Sequence, residues 1–181
     1  MSTVGQIVAL FGERGSGEYF GERVSMTEHA LQAAYFASLA GAPEPLIAAA
    51  LLHDVGHLLE EVPSDIADWT RDAHHEEVGS RWLADRFGPE VSEPVRLHVP
   101  AKRYLLATDR AYFSRLSPAS VITLQLQGGP MAAHETAAFE AERFYREAIR
   151  VRQWDDQGKV AGLKTPNVED YRRLLERIVN R

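Results

Sequence analysis

The 181-residue sequence predicts an all-α, multi-helix single domain spanning residues 1–181. Three observations carry this expectation. Apolar residues recur at helical spacing in segment after segment. Cap residues and helix-ending Gly or Pro residues punctuate those segments. No stretch alternates apolar and polar residues as a half-buried strand does. With 45% hydrophobic residues, the chain can bury one substantial core.

The elements follow in order. Ser25-Met26-Thr27-Glu28 reads as a capping box, a serine cap with glutamate three residues on. Behind it Ala30, Leu31, Ala33, Ala34, Phe36, Ala37 and Leu39 mark a helix that Gly41 ends. Pro43 and Pro45 open a second helix that carries His53-Asp54, with Gly56 near its end and a loop through Pro63 and Ser64. A helix is expected from about Ala73 to Phe87, stopped by Gly88-Pro89. The next covers Glu90 to Val99 and breaks at Pro100, because proline lacks the amide a helix interior needs. Ala101 to Ala107 resumes helix. Ser117-Pro118 is a cap followed by proline at the first helical position. Gly128-Gly129-Pro130 interrupts the chain, and Ala132 to Trp154 reads as the longest helix. Pro166-Asn167 starts a last helix, with Tyr171, Leu174, Leu175, Ile178 and Val179 on its apolar side.

Composition excludes several classes. There are no cysteines, hence no disulfides, thiolate metal sites or cysteine nucleophiles. A net charge of −6 argues against a general nucleic-acid surface. Met1-Ser2-Thr3-Val4-Gly5 lacks the basic start of a signal peptide, and no apolar run has the length of a membrane span. A soluble cytoplasmic protein without nucleic-acid or membrane partners is expected.

The seven histidines carry the chemistry. His53-Asp54 and His57 follow the apolar run Ile47-Ala48-Ala49-Ala50-Leu51-Leu52. Imidazoles and a carboxylate at such depth are costly unless a partner, such as a metal, pairs with them. Asp54 can offer one oxygen to each of two ions. His57 lies one helical turn beyond His53. His29 lies near the start of the preceding helix, His75 near the start of another and His98 near the end of a further one, a distribution that suits a site assembled between helices. His75, followed by Glu76-Glu77, is favoured over its neighbour His74. His134 is left out as a lone histidine. Imidazole and carboxylate ligands suit iron, zinc, manganese or cobalt and disfavour copper(I).

His29, His53-Asp54 and a distal aspartate resemble the pattern of the HD-domain superfamily, which consists mostly of metal-dependent phosphohydrolases. The likeness is closer to the branch of phosphonate-cleaving, mixed-valent diiron oxygenases. It rests on Tyr19-Phe20-Gly21-Glu22, Glu28-His29-Ala30-Leu31-Gln32 and Ala50-Leu51-Leu52-His53-Asp54-Val55-Gly56-His57. It continues through His75-Glu76, His98-Val99-Pro100-Ala101-Lys102-Arg103-Tyr104-Leu105, Gln127-Gly128-Gly129-Pro130-Met131 and Trp154-Asp155. It runs from about Gly17 to Tyr171. The resemblance implies two iron ions, Fe²⁺ and Fe³⁺. One would take His29, His53, Asp54 and Asp155; the other Asp54, His75 and His98. Asp156 is the alternative to Asp155 if the register slips by one.

The same resemblance implies the substrate side. Lys102 and His57 would bind a phosphonate, with hydroxyls from Ser120 and Thr123. Glu22 would pair with an ammonium group, and Tyr19 would occupy an open iron position until substrate displaces it. The implied reaction is oxygen-dependent cleavage of the carbon–phosphorus bond of a small organophosphonate. Its substrate would be 1-hydroxy-2-aminoethylphosphonate or the trimethylammonio analogue, giving phosphate plus glycine or glycine betaine. Tyr19, Phe20, Tyr35 and Tyr104 are aromatic candidates for holding a quaternary ammonium; amine and trimethylamine both stay open. The rival expectation is a phosphohydrolase acting on a nucleotide or phosphate monoester with the core His29, His53, Asp54 and Asp155.

Overall fold

The computed structural model describes residues 1–60 and 74–180. Ten α-helices appear among them: α1 (Thr3–Arg14), α2 (Met26–Leu39), α3 (Glu44–Leu52), α4 (Val55–Leu59), α5 (His75–Ala84), α6 (Pro89–Thr108), α7 (Pro118–Leu126), α8 (Ala133–Glu140), α9 (Tyr145–Gln157) and α10 (Arg172–Ile178). The described residues contain no strand, only isolated bridges between Glu18 and Ser25 and between Phe87 and Val179. The all-α expectation agrees with this architecture. The loop expected through Pro63 and Ser64 lies outside the described residues.

The capping box forms as read. The Ser25 hydroxyl accepts the Glu28 amide at 3.1 Å and the Glu28 carboxylate accepts the Ser25 amide at 2.7 Å. Two alanine-rich faces then meet. Ala30, Ala33, Ala34 and Ala37 on α2, and Ala48, Ala49 and Ala50 on α3, are all buried. Small side chains let the two helix backbones approach closely, which brings His29 and His53 within reach of each other. α6 packs against α5, α9 and α3, so it forms the spine of the molecule. A second, smaller apolar cluster of Leu97, Ala101, Phe139 and Ala148 ties α6 to α8 and α9.

Several boundaries differ from the sequence expectation. Pro100 does not break its helix: α6 runs unbroken through both Pro94 and Pro100 and is the longest of the described helices. Each proline removes one ladder hydrogen bond, and the buried face of Val91, Val95, Leu97, Val99, Ala101 and Leu105 offsets that loss. Ala132–Trp154 is not one helix but α8 and α9, separated at residues 141–144. The helix carrying His53 stops at Leu52; Asp54 turns aside at φ −101°, ψ 13° before α4 begins, so Gly56 belongs to a new helix. The last helix starts as a 3₁₀ turn, Val168–Tyr171, ahead of α10. The α5 helix is shorter than expected, His75–Ala84, and α1 had no counterpart among the expected elements.

Candidate metal centre

Five helices deliver the candidate ligands to one buried point. His29 comes from α2, His53 and Asp54 from the break between α3 and α4, His75 from the start of α5, His98 from mid-α6 and Asp155 from α9. All six are buried. They sort into two groups that share Asp54. In the first, His29 Nε2 lies 3.0 Å from His53 Nε2 and 3.3 Å from Asp155 Oδ1, and Asp54 Oδ2 lies 3.3 Å from His53 Nε2 and 3.6 Å from His29 Nε2. In the second, His75 Nε2 lies 3.2 Å from His98 Nε2, with Asp54 Oδ1 3.1 Å from the one and 3.5 Å from the other. The break after Leu52 serves this arrangement: two adjacent residues on a regular helix point about 100° apart, whereas here both reach the same centre.

The donor chemistry fits a metal in each group. His29 Nδ1 donates to Gly158 O at 2.9 Å, His53 Nδ1 to Ala50 O at 2.8 Å and His98 Nδ1 to Val95 O at 2.7 Å. A carbonyl only accepts, so the proton of each neutral ring sits on Nδ1 and the lone pair on Nε2 faces the centre. In the first group two such lone pairs stand 3.0 Å apart. That is repulsive unless positive charge lies against them. Asp155 Oδ1 is buried with no hydrogen-bond partner, while Arg152 Nη1 holds Oδ2 at 2.7 Å. A buried carboxylate oxygen without a donor is costly, and a cation satisfies it. The titration behaviour points the same way. Burial pushes the His53 imidazole down, but Asp54 and Asp155 more than reverse this and raise it to about 9. Burial raises the Asp54 carboxyl, yet the His53 charge beside it holds it well below the usual carboxylate range.

Beside the two groups opens a pocket lined by Tyr19, Phe20, His57, Val99, Lys102, Ala119, Ser120, Thr123, Gln127, Arg152 and Lys159, as well as Asp54, His75, His98 and Asp155. Tyr19 stacks on His29 with ring centroids 3.8 Å apart, and its hydroxyl donates to Asp54 Oδ2 at 2.8 Å. His57 stacks on His75 at 3.9 Å. Burial, and then the neighbouring His75, push the His57 ring well below its ordinary value, so it stays neutral. Lys102 is only 2% exposed, and its ammonium donates to Thr123 Oγ1 at 3.0 Å. Burial, followed by the Arg152 charge, pushes it down to about 7.

The sequence-selected residues therefore converge, except Glu22 and two of the aromatic candidates: Tyr104 donates to Glu140 and Tyr35 packs on Phe36, both away from the pocket. Glu22 does not line this pocket; it lines a neighbouring surface depression with Ser16, Glu18, Arg23, Val24, Ser25 and Glu28. The reason is local. Phe20 and Gly21 turn the chain through positive φ (47° and 80°), and the Glu22 amide donates back to Tyr19 O at 2.8 Å. Tyr19 and Glu22 thus leave a tight turn toward different surroundings. His74 is exposed and left-handed at φ 51°, so of that pair it is His75 that faces the centre. Asp156 turns away to Tyr112 and Arg152.

A family model described as "HD domain" matches residues 26–155. The chain belongs to the HD-domain family. The matched span begins at the first residue of α2 and ends on Asp155, so it encloses both ligand groups of this HD domain. Similar proteins cover nearly all of the chain. The [1-hydroxy-2-(trimethylamino)ethyl]phosphonate dioxygenase (glycine-betaine-forming) of Leisingera caerulea is 45% identical over 175 residues, which is 97% of this chain and 89% of that protein. The hydroxymethylphosphonate dioxygenase of Gimesia maris (strain ATCC 29201 / DSM 8797 / 534-30) is 45% identical over 159 residues, 87% of this chain and 79% of that protein. Uncharacterized protein L432 of Acanthamoeba polyphaga mimivirus is 31% identical over 177 residues, 97% of this chain and 81% of that protein.

Sequence reasoning passed over Arg152 and Lys159, which also line the pocket. Arg152 sits in a run of charges that reads as a solvated helix face, and Lys159 lies beyond the end of α9 between Gly158 and Val160. The one available signal was the spacing of Arg152 to Asp155 and Asp156, at i+3 and i+4, which permits ion pairs on one helix.

Proposed function

We propose that this HD domain is a diiron oxygenase that cleaves the carbon–phosphorus bond of a small 1-hydroxyphosphonate. In the reaction, dioxygen is reduced by four electrons, the hydroxylated carbon becomes a carboxylate and the phosphonate leaves as inorganic phosphate. The single observation that carries this reading is the juxtaposition of two His/Asp ligand groups sharing Asp54 with a buried lysine in one pocket. The phosphonate dioxygenase activities for which the two 45%-identical relatives are named support it.

Iron ions held by His29, His53, Asp54 and Asp155 and by Asp54, His75 and His98 supply, when bound, the redox chemistry that couples dioxygen to bond cleavage. The chain's other residues handle the substrate. Lys102, held by Thr123, gives the phosphonate a buried ammonium, and the Ser120 and Thr123 hydroxyls add hydrogen bonds. His57, neutral and packed between Phe20 and His75, lies beside the reacting end of the pocket. Tyr19 closes the pocket over Asp54 and gives way to substrate. Glu22 would take the ammonium end of a zwitterionic substrate after rearrangement of the Tyr19–Glu22 turn; its Oε1 is buried and has no hydrogen-bond partner. The substrate is small and dissolved, and the chemistry is assigned to the cytoplasm; separately, no described helix is long and apolar enough to cross a membrane.

The test is oxygen uptake and phosphate release by iron-loaded protein. Three substrates are compared: hydroxymethylphosphonate, 1-hydroxy-2-aminoethylphosphonate and its trimethylammonio analogue. Stoichiometric oxygen uptake and phosphate release with at least one is the expected result. No uptake with any of them, together with turnover of a phosphate ester, would assign the site to hydrolysis instead.

A further inference from the structure

Arg152 on α9 engages all three of its guanidinium nitrogens. Nη1 donates to Asp155 Oδ2 at 2.7 Å. Nη2 donates to Asp156 Oδ1 and, at 3.4 Å, to Ser120 Oγ. Nε donates to the Tyr112 hydroxyl at 3.0 Å, and that hydroxyl donates its own proton to Asp156 Oδ2. Arg152 is 4% exposed and Tyr112 2%. Asp155 is thereby left with one oxygen facing the first ligand group: Oδ1 lies 3.3 Å from His29 Nε2 and has no hydrogen-bond partner.

A guanidinium beside a carboxylate tends to engage both oxygens through two parallel N–H bonds. On Asp155 such a fork would cover Oδ1, the oxygen that faces the imidazoles. Here another acceptor takes the forked edge. The Tyr112 hydroxyl and Asp156 Oδ1 together receive Nε and Nη2, so only Nη1 remains for Asp155.

Tyr112 is held for this task by its own turn. It opens the 3₁₀ helix Tyr112–Arg115 that follows α6. Its amide donates to Asp109 O at 3.0 Å, and Asp109 Oδ1 accepts the Ala111 amide at 2.9 Å. Arg115 pairs with Asp109 and stands over the Tyr112 ring, 5.3 Å from its centroid. A buried tyrosine hydroxyl needs partners, and this one finds both on α9. Neither Tyr112 nor Asp156 lines the pocket beside the two ligand groups; they line an outer depression with Asp109, Arg115, Gln153 and Gln157. Their route to the centre therefore runs through Arg152.

We propose that Tyr112 and Asp156 are positioning residues of the metal centre. By occupying the Nε–Nη2 edge of Arg152 they limit it to one bond with Asp155. Asp155 Oδ1 thus stays open for the ion of the group His29, His53, Asp54 and Asp155. The inference rests on the two ligand groups used in the function proposed above, and on nothing in the reaction itself.

The experiment is anaerobic competition of ferrous-loaded protein against a chelator, resolving the two ions of each chain, with Tm measured on the same samples. Y112F keeps the ring and frees Nε; D156N removes the charge that holds Nη2. In Y112F one ion should bind about tenfold to a hundredfold more weakly, the range for losing an outer partner of a metal ligand. The other ion should change by less than about threefold. D156N should show the same one-sided loss, and it is read in place of Y112F if the latter does not fold. R152K cannot fork, so Y112F added to R152K should weaken binding by less than about threefold more, because the effect passes through the guanidinium. A merely structural role would lower Tm and leave the two ions alike. Unchanged affinity for both ions in Y112F and D156N would overturn the proposal, and turnover of a hydroxyphosphonate by the same wild type would leave the oxygenase reading standing. An undiminished Y112F effect in the R152K chain would overturn it as well. Wild type that takes up fewer than two ions would remove the ligand groups and this inference together. A one-sided loss in Y112F, with no hydroxyphosphonate oxidised by wild type, would support the inference and remove the oxygenase reading.

Discussion

At the residue scale, Asp54 is the hinge of the site, because each of its oxygens faces a different pair of imidazoles. An Asp54→Asn exchange keeps the volume but turns one acceptor into a donor aimed at a histidine lone pair. Iron content should fall from two per chain to less than about one, and turnover by more than about a thousandfold; metal analysis beside phosphate release checks both. Lys102→Ala should behave differently: iron content intact, kcat/KM down by about ten- to a hundredfold. Equal kinetics would strip Lys102 of its assigned part. Glu22→Gln separates substrates. It should lower kcat/KM about tenfold for the two ammonium-bearing hydroxyphosphonates and leave hydroxymethylphosphonate unaffected, because only the former carry a cation for Glu22 to pair. Legibility also divides at this scale. His53 stands out because an imidazole behind an apolar run needs a partner, and His29, His75 and His98 because they are distributed over separate helices as a shared site requires. Asp155 and Lys102 do not: each is a charge among charges, and only resemblance to a family singles them out. Lys159 escapes even that, since its half-buried place at the pocket follows from Gln32 holding the adjacent Val160, a pairing across 128 positions that no local pattern encodes.

At the element scale, helix starts are more legible than helix interruptions. Ser25 and Ser117 announce their helices because a cap is a local bond between a side chain and an amide a few residues on. Pro100 misleads for the opposite reason. Whether a helix survives a proline depends on packing elsewhere, and α6 is held on several sides by α3, α5 and α9. The break at Asp54 was hidden likewise, in a run whose apolar character would suit an unbroken helix. Its consequence is the close seating of α4 on α5. A Cβ on Gly56 would come within 2.0 Å of His75 O, and one on Gly79 within 3.1 Å of Val55 Cγ1. Gly56→Ala must therefore push the start of α5 away, and His75 with it. We expect a loss of roughly 1–3 kcal/mol in stability, the usual range for overpacking, with iron lost first from the group of Asp54, His75 and His98. Denaturant titration and iron stoichiometry together check this; full stability with two irons bound would show that α5 can shift without carrying His75 along.

At the scale of the whole molecule, the net charge of −6 and the pocket have opposite characters. Lys102, Arg152 and Lys159 gather at one pocket of an acidic chain, and composition, which averages over the chain, does not report such a local gathering. The centre also joins the fold together. Its ligands belong to α2, the α3–α4 break, α5, α6 and α9, so bound ions would cross-link five helices that otherwise meet through side-chain packing. Without metal, the core must hold two imidazole Nε2 atoms 3.0 Å apart and an unsatisfied Asp155 oxygen. Metal binding should therefore appear as folding stability. At a free metal concentration about a hundredfold above Kd, the linked stabilisation is about 2.7 kcal/mol. For a domain of this size each kcal/mol moves Tm by about 2–4 °C. Chelation should thus lower Tm by roughly 5–10 °C, and ferrous iron should restore it. The Asp54→Asn variant supplies the control, because a chain that no longer gathers both ions should respond to the chelator by less than half as much. A wild-type Tm that ignores both chelator and iron would mean that the five helices hold the centre open unaided, and that the ions contribute chemistry but no cohesion.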